Sequence, residues 1–291
     1  MNIKKIYQQA VERLLAAGVA DAAIDVGFLL SHLLKCSRAE LFVADRYLSP
    51  GLVEQFGKFL ARRMAREPVA YIIGEQEFWS LSFLVTPDVL IPRPETEHVV
   101  EAALELNKSG FVENGPMLDL GTGSGILAIC LALEMPDRQV VAVDRSRPAL
   151  LVAAANAKRH GVSSRVNFVN SCWLEAFRPG PIFSVVVTNP PYVAQTSMAA
   201  LEPEVRVFEP ALALDGGFHG VREIEIICRD LDQILKAGGW FFMEIGFDQE
   251  EYVLELFRKM SGYDNVRVIR DYAGLPRVLQ ARKTATVKKH G

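Results

Sequence analysis

From residue 117 onward, short apolar runs alternate with glycine-led turns and helical stretches, a pattern that few folds accommodate. Met117-Leu118-Asp119-Leu120 reads as a strand, Gly121-Thr122-Gly123-Ser124-Gly125 as a turn, and residues 126–134 as a helix. A second strand, 139–143, stops at Asp144, after which Ser146 caps a helix with Pro148 in its first turn and Gly161 at its end. Residues 166–169 read as a third strand and 184–188 as a fourth. Residues 221–235 read as a helix ended by Gly238-Gly239, 240–245 as a fifth strand, 249–260 as a helix, and 266–269 and 278–281 as late strands. Strands and helices taken in turn predict an α/β protein, a doubly wound and mostly parallel sheet.

The fourth strand carries the sharpest local signal. Val185, Val186 and Val187 are β-branched and uninterrupted, as in a strand buried on both faces, and the run ends at Asn189-Pro190-Pro191-Tyr192. The two prolines have no N–H and fixed φ, and each pushes the residue before it into extended backbone. The loop is therefore stiff and lies at the carboxyl end of a central strand, where open α/β sheets bind ligands. Asn189 offers a neutral amide that donates and accepts at once, Pro190 a free carbonyl, and Tyr192 a flat ring. These groups suit a substrate that is an amide or amino group.

Residues 1–70 read differently, as a helical domain. Helices are expected over 3–16 and 22–34, a capping box at Ser37-Arg38-Ala39-Glu40 opens a short one, and a fourth follows Pro50-Gly51 to Arg66. Lys58, Arg62 and Arg66 fall at four-residue intervals on this last helix and read as a solvated face. Residues 71–91 read as a β-hairpin linker with extended segments at Tyr71-Ile72-Ile73-Gly74 and from Phe78 to Val85. Pro92, Pro94 and the acids around them then start a helix that runs to residue 106, in a domain spanning 92–291. The basic tail, 282–291, reads as loose.

Composition narrows the partners. A net charge of −3 over 291 residues gives no bulk attraction to nucleic acid, so no direct nucleic-acid contact is expected. The four cysteines are scattered and the five histidines fall at no ligand spacing, so no metal is expected. Gln8, Gln9, Glu12 and Arg13 interrupt the N-terminus, and the uncharged run 120–133 is too short to cross a bilayer. A cytoplasmic protein with no membrane partner is expected.

The glycine turn is G-x-G-x-G, not the dinucleotide pattern, because Ile126 stands where that pattern needs glycine. A helix N-terminus behind glycines favours a carboxylate as readily as a phosphate, and Asp144, about 20 residues on at the next strand's tip, suits ribose hydroxyls. A ligand with an adenine, a ribose and an amino-acid carboxylate but no phosphate fits these parts, which is S-adenosylmethionine.

Taken with Ile91-Pro92-Arg93-Pro94-Glu95-Thr96-Glu97 and Glu77-Phe78-Trp79-Ser80-Leu81, these motifs resemble the HemK/PrmC family across nearly the whole chain. The resemblance implies a protein-(glutamine-N5) methyltransferase acting on the Gly-Gly-Gln motif of class I peptide release factors, with the N-terminal helices reading the substrate. It implies that Gly121, Thr122, Gly123, Ser124, Gly125 and Asp144 hold the cofactor together with Asn189, that Trp173 lies by the adenine, and that Asn189, Pro190, Pro191 and Tyr192 hold the glutamine. Asn189, Pro190 and Tyr192 would serve the chemistry. The chain departs from the family at Ser171-Cys172-Trp173, where an Asp usually precedes the Trp, so an acceptor for the adenine amino group is missing. Two rival readings remain: an adenine-N6 nucleic-acid methyltransferase, which would need base flipping and a basic groove, and a cofactor-binding module without activity.

Overall fold

The structure, a computed structural model, describes residues 2–43, 47–110, 112 and 114–284. Contacts divide the chain into two units, one of residues 1–75 with 201–209 and one of 76–200 with 210–291.

The first unit is helical: α1 Ile3–Ala16, α2 Ala22–Leu34, α3 Pro50–Met64 and α4 Val69–Ile73. Asn2 and Ser49 cap α1 and α3 with their side-chain oxygens, and Ser37 with Glu40 closes the expected capping box at 2.8 Å. Ile6, Ala10 and Leu14 face Val26, Leu29, Leu30, Phe56 and Leu60 in one apolar core. The extended segment expected at Tyr71-Ile72-Ile73-Gly74 is instead α4, a single helical turn. Pro68 starts it and Gly74, at φ 83°, ends it. The guanidinium of Arg62 donates to the carbonyls of Tyr71 (3.2 Å) and Ile72 (3.3 Å) near the end of this short helix. The solvated face holds for Lys58 and Arg62, which stay exposed although Arg62 is also bonded, but not for Arg66, which lies past the end of α3 at φ 70° and pairs with Glu204 at 2.5 Å.

The second unit begins with a hairpin, β1 Glu75–Phe78 and β2 Leu81–Leu84, shorter than expected and turning at Trp79-Ser80. Both turn residues have positive φ, 54° and 56°, the backbone of a two-residue hairpin loop. Trp79 is held there by bonds from its N–H to Glu97 (2.7 Å) and from its indole to Glu134 (2.9 Å). Then come α5 Glu97–Lys108, β3 Met117–Leu120, α6 Ile126–Glu134, β4 Val140–Asp144, α7 Arg147–Arg159, β5 Val166–Asn170 and β6 Phe183–Thr188.

After β6 the chain enters the first unit for α8 Pro203–Phe208 and leaves it again. Glu204 explains the attachment: it takes Arg63 at 2.7 Å as well as Arg66, and Arg63 reaches Asp25 at 2.6 Å. Burial pushes the Glu204 carboxyl up, but hydrogen bonds from Arg66 and Arg63 outweigh it and hold the pKa at about 2. The remaining elements are α9 Arg222–Leu231, β7 Leu235–Glu244, α10 Glu250–Lys259, β8 Tyr263–Arg270 and β9 Pro276–Lys283.

The helix expected to reach residue 235 ends at Leu231, and Gly238-Gly239 lie inside β7 instead of closing a helix. Leu235 already pairs with Phe183, and the next ladder pair is Trp240 with Val185, so residues 236–239 bulge out. Gly238, at φ 78°, makes that bulge possible. Of the tail expected to be loose, Arg282 and Lys283 belong to β9, and residues 285–291 lie outside those described.

The main sheet has seven strands in the order β5-β4-β3-β6-β7-β9-β8, parallel from β5 through β7 and antiparallel at β9 and β8. Side chains alternate between two cores: Met117, Val185, Val187 and Phe242 meet α5 and α6, while Leu118, Val186, Phe241 and Met243 meet α9 and α10. Chain order reverses between β3 and β6, so a crevice opens at the carboxyl ends of those strands. No helix among the described residues is long and apolar enough to cross a membrane.

Candidate active site

Strand register brings the sequence motifs together. Leu120 pairs with Val143 on one side and Thr188 on the other, so Gly121 follows β3 between Asp144 at the end of β4 and Asn189 just past β6. Thr188 in turn pairs with Met243, which places Asn189 beside Glu244 at the end of β7. A cleft opens over these tips, lined among others by Gly121, Asp144, Trp173, Asn189, Pro191 and Arg93.

The glycine turn is shaped by close approach. At Gly121, φ 73°, an added Cβ would lie 3.3 Å from the Trp173 ring, and at Gly125, φ 87°, it would lie 3.0 Å from Ile129 and 3.1 Å from Ala153. Both positions need glycine for backbone and for space. The buried Asn156 of α7 donates to the carbonyls of Ser124 (2.9 Å) and Leu84 (3.0 Å) and accepts from Leu84 N–H (2.7 Å), which fixes the end of the turn.

Asp144 holds two backbone N–H groups, Gly123 at 2.9 Å on one oxygen and Ser146 at 2.8 Å on the other. Each oxygen keeps a further lone pair for a ligand hydroxyl. Burial pushes its pKa up, opposed by those N–H bonds and by Arg145.

Beneath the turn, Asp119 is fully enclosed. Its Oδ2 accepts from Thr122 (2.6 Å) and Ala128 N–H (3.1 Å), while Oδ1 has no partner among the described residues. Burial drives its pKa to about 7, with Thr122 and Ala128 pulling down and Asp144 pushing up. The folded protein therefore holds this proton where the unfolded chain releases it, and stability from this group is lost as pH rises from about 4 to about 7. Asp119→Asn removes that slope. Its stability is expected to gain on the wild type across this window, by on the order of 1 kcal/mol per pH unit, and to stop gaining above about pH 7, which melting temperatures taken at each pH will follow. Parallel melting curves at every pH would show that Asp119 is already ionised when folded.

Trp173 is buried, at φ 46°, and donates its indole N–H to Glu223 at 2.7 Å. It faces both the core and the cleft. Ser171 lines the cleft and Cys172 does not, although the thiol is half-buried. Glu223, which sequence reading missed, is a carboxylate on the cleft wall and takes the Trp173 indole N–H.

Around Asn189 the contacts form one network. Asn189 Nδ2 donates to Thr96 Oγ1 (3.0 Å), Thr96 donates to Glu244 Oε2 (2.6 Å), and the Tyr192 hydroxyl donates to Glu244 Oε1 (3.1 Å). Thr96 and Glu244 have no exposed surface. Burial raises the Glu244 pKa against the pull of Thr96, Tyr192 and Arg277, and burial with Glu244 keeps Tyr192 a phenol. The Tyr192 carbonyl is held as well: Gln249 Nε2 donates to it (3.3 Å) and to Gly220 O (2.9 Å). Neither Thr96, Glu244 nor Gln249 was singled out from the sequence as a site residue.

Residues 5–74 match the family model of the PrmC N-terminal domain and residues 102–221 that of the methyltransferase small domain. Release factor glutamine methyltransferase of Koribacter versatilis is 40% identical over 284 residues, 97% of this chain and 99% of that one. The protein of the same name from Cereibacter sphaeroides is 41% identical over 287 residues, 98% of this chain and all of that one. Among solved structures, the hMettl16 catalytic domain in complex with the MAT2A 3'UTR hairpin 6 superposes with a TM-score of 0.55 at 14% identity, over 81% of this chain and 82% of that one. That likeness concerns the fold alone.

Proposed function

The chain belongs to the release factor glutamine methyltransferase family, and from that premise we propose that it methylates the side-chain amide nitrogen of the glutamine in the Gly-Gly-Gln motif of a class I release factor. It is an S-adenosylmethionine-dependent enzyme of the doubly wound methyltransferase fold. The observation that carries the reading is the acceptor pair at the tip of β6: Asn189 turns its Nδ2 to Thr96, which leaves Oδ1 for a ligand, and Pro190 has a carbonyl beside it.

The cleft fits the cofactor. The turn lacks Cβ atoms where Gly121 and Gly125 come close to Trp173 and α7, and Asp144 has spare lone pairs. Gly121, Thr122, Gly123, Ser124, Gly125 and Asp144 would hold its methionine and ribose parts, and Trp173 its adenine. When bound, it supplies an electrophilic sulfonium methyl group.

The residues of the chain have a narrower task. An amide nitrogen is a weak nucleophile because its lone pair is delocalised into the carbonyl. Asn189 Oδ1 and the Pro190 carbonyl accept the two amide hydrogens and hold the nitrogen so that its lone pair faces the cofactor. The Tyr192 ring, anchored by its hydroxyl on Glu244, gives the planar amide a face to lie on. No strong base is required, since the nitrogen's proton becomes acidic only as positive charge develops there. The N-terminal helices, residues 1–70, recognise the body of the release factor.

Methyl-labelled cofactor, the enzyme and a purified release factor test this directly. Label is expected in a tryptic peptide containing the glutamine and is lost when that glutamine is replaced. Label removed by nuclease, not by protease, would replace this reading with methylation of a nucleic-acid base.

A further inference from the structure

The two ends of an asparagine side chain have nearly the same shape, so some neighbour must decide which end meets the substrate. Thr96 is that neighbour, and its hydroxyl has a single hydrogen to give. At 2.6 Å from Glu244 Oε2 the hydroxyl is at hydroxyl-to-carboxylate distance, and the hydrogen is spent there. Toward Asn189, 3.0 Å away, Thr96 presents only lone pairs. Asn189 must therefore turn Nδ2 to Thr96 and Oδ1 to the cleft. On the far side of Glu244, the Tyr192 hydroxyl also donates, at 3.1 Å, so the carboxylate accepts from both partners.

We propose that Glu244, acting through Thr96, is the positioning residue that fixes the polarity of the Asn189 amide, so that the site presents an acceptor to the substrate and selects a side-chain amide over a carboxylate. The proposal rests on the reading of Asn189 as the substrate clamp. It assigns the choice between glutamine and glutamate to a carboxylate that never touches either. With Oδ1 outward, two acceptors face the substrate: an amide offers them two N–H groups, whereas a carboxylate offers only lone pairs and is repelled. The parts come from three separate elements, the 3-10 turn Pro94–Thr96, the tip of β6 and the end of β7.

Glu244→Gln reverses the relay. The Gln oxygen is required by the Tyr192 hydroxyl, which has no other acceptor among the described residues, so the Gln NH2 turns to Thr96. Thr96 must then donate to Asn189, which flips and puts its NH2 into the cleft. The expected result is a fall in kcat of about tenfold or more, with melting temperature and cofactor affinity nearly unchanged. Asn189→Asp alone places a second carboxylate on a hydroxyl that has already given up its hydrogen, and is expected to be similarly slow.

Combined, the two changes fit each other. The Gln amide donates to Thr96, Thr96 donates to one Asp oxygen, and the other Asp oxygen faces the substrate as an acceptor. The double variant is therefore expected to turn over about threefold or more faster than either single variant, a coupling that damage to packing does not produce. Losses that multiply in the double variant, or wild-type kcat in Glu244→Gln, would overturn the proposal. If Glu244→Gln fails to fold, Thr96→Val and Thr96→Ser decide: Val should lose about tenfold in kcat and Ser should keep most of it, and equal rates for the two would reject the relay. Wild-type enzyme in the same assay separates the two levels, because no transfer to glutamine by the wild type would reject the function itself, whatever the variants do.

Discussion

Asn189→Ala is expected to slow methyl transfer by about 10²–10³-fold, the effect of deleting one preorganised polar contact aimed at the reacting group. Cofactor affinity and melting temperature should change little. The contacts explain why. Removing the side chain takes one donor from Thr96, but the Thr96 hydrogen stays on Glu244, so no buried donor is stranded and the loss amounts to about one ordinary hydrogen bond, 0.5–1.5 kcal/mol. The loop keeps its shape by other means. Pro190 and Pro191 fix φ, Thr188 bonds Leu120 O at 2.8 Å, and Gln249 holds the Tyr192 carbonyl. An Asn that merely shaped the turn would give the opposite pattern, with a lower melting temperature and turnover only mildly reduced. Steady-state rates with a release factor, alongside thermal melts, separate the two, and near wild-type transfer by a stable Asn189→Ala protein would remove Asn189 from the chemistry.

The sequence announced some of these parts and concealed others, for reasons of distance. Gly121 to Gly125, Asp144 and Asn189 each sit at the end of a strand and carry a local mark, either glycines, an acid at a fixed interval or a Pro-Pro stop. Reading β3, β4 and β6 correctly was then enough to put all three at one crevice, because parallel register aligns strand tips. Thr96 and Glu244 bond across 148 residues, and nothing local links them. Thr96 reads as part of a helix start. Glu244 did leave a trace: it is the one acid within Trp240-Phe241-Phe242-Met243-Glu244-Ile245, and an acid in a strand buried on both faces needs donors.

The misread elements share another cause. In Tyr71-Ile72-Ile73 the β-branched pair favours a strand, yet Pro68, Gly74 and the capping guanidinium of Arg62 make a helical turn. Gly238-Gly239 looked like the end of a helix because glycine pairs usually punctuate, and a bulge inside a strand uses the same freedom of backbone. Glu204 gave no sign of reaching Arg63 and Arg66, since side-chain pairing over that separation leaves no periodicity to read.

Asp144→Ala is expected to weaken cofactor binding by about 1.5–3 kcal/mol, roughly 10–100-fold in Kd, the usual value of hydrogen bonds to a charged acceptor. The structure adds a second consequence that the strand-tip position alone did not suggest. Each Asp144 oxygen already holds a backbone N–H, from Gly123 and from Ser146, so alanine also releases the middle of the glycine turn and the start of α7. A modest fall in melting temperature should accompany the loss of affinity. Asp144→Asn distinguishes the two contributions. It keeps one acceptor oxygen, enough for one of the two N–H groups, but its NH2 cannot accept from a ribose hydroxyl and faces the other N–H as donor against donor. Affinity should therefore rank wild type above Asn and Asn above Ala. The pH dependence has a definite sign too: burial raises the Asp144 pKa, and protonation costs it acceptor strength, so wild-type affinity should fall as pH drops toward that pKa while the Ala variant's should not. Calorimetry of all three proteins across pH makes the comparison. An Ala variant that melts lower but binds the cofactor as tightly as the wild type would confine Asp144 to shaping the turn and move the ribose contact to another residue.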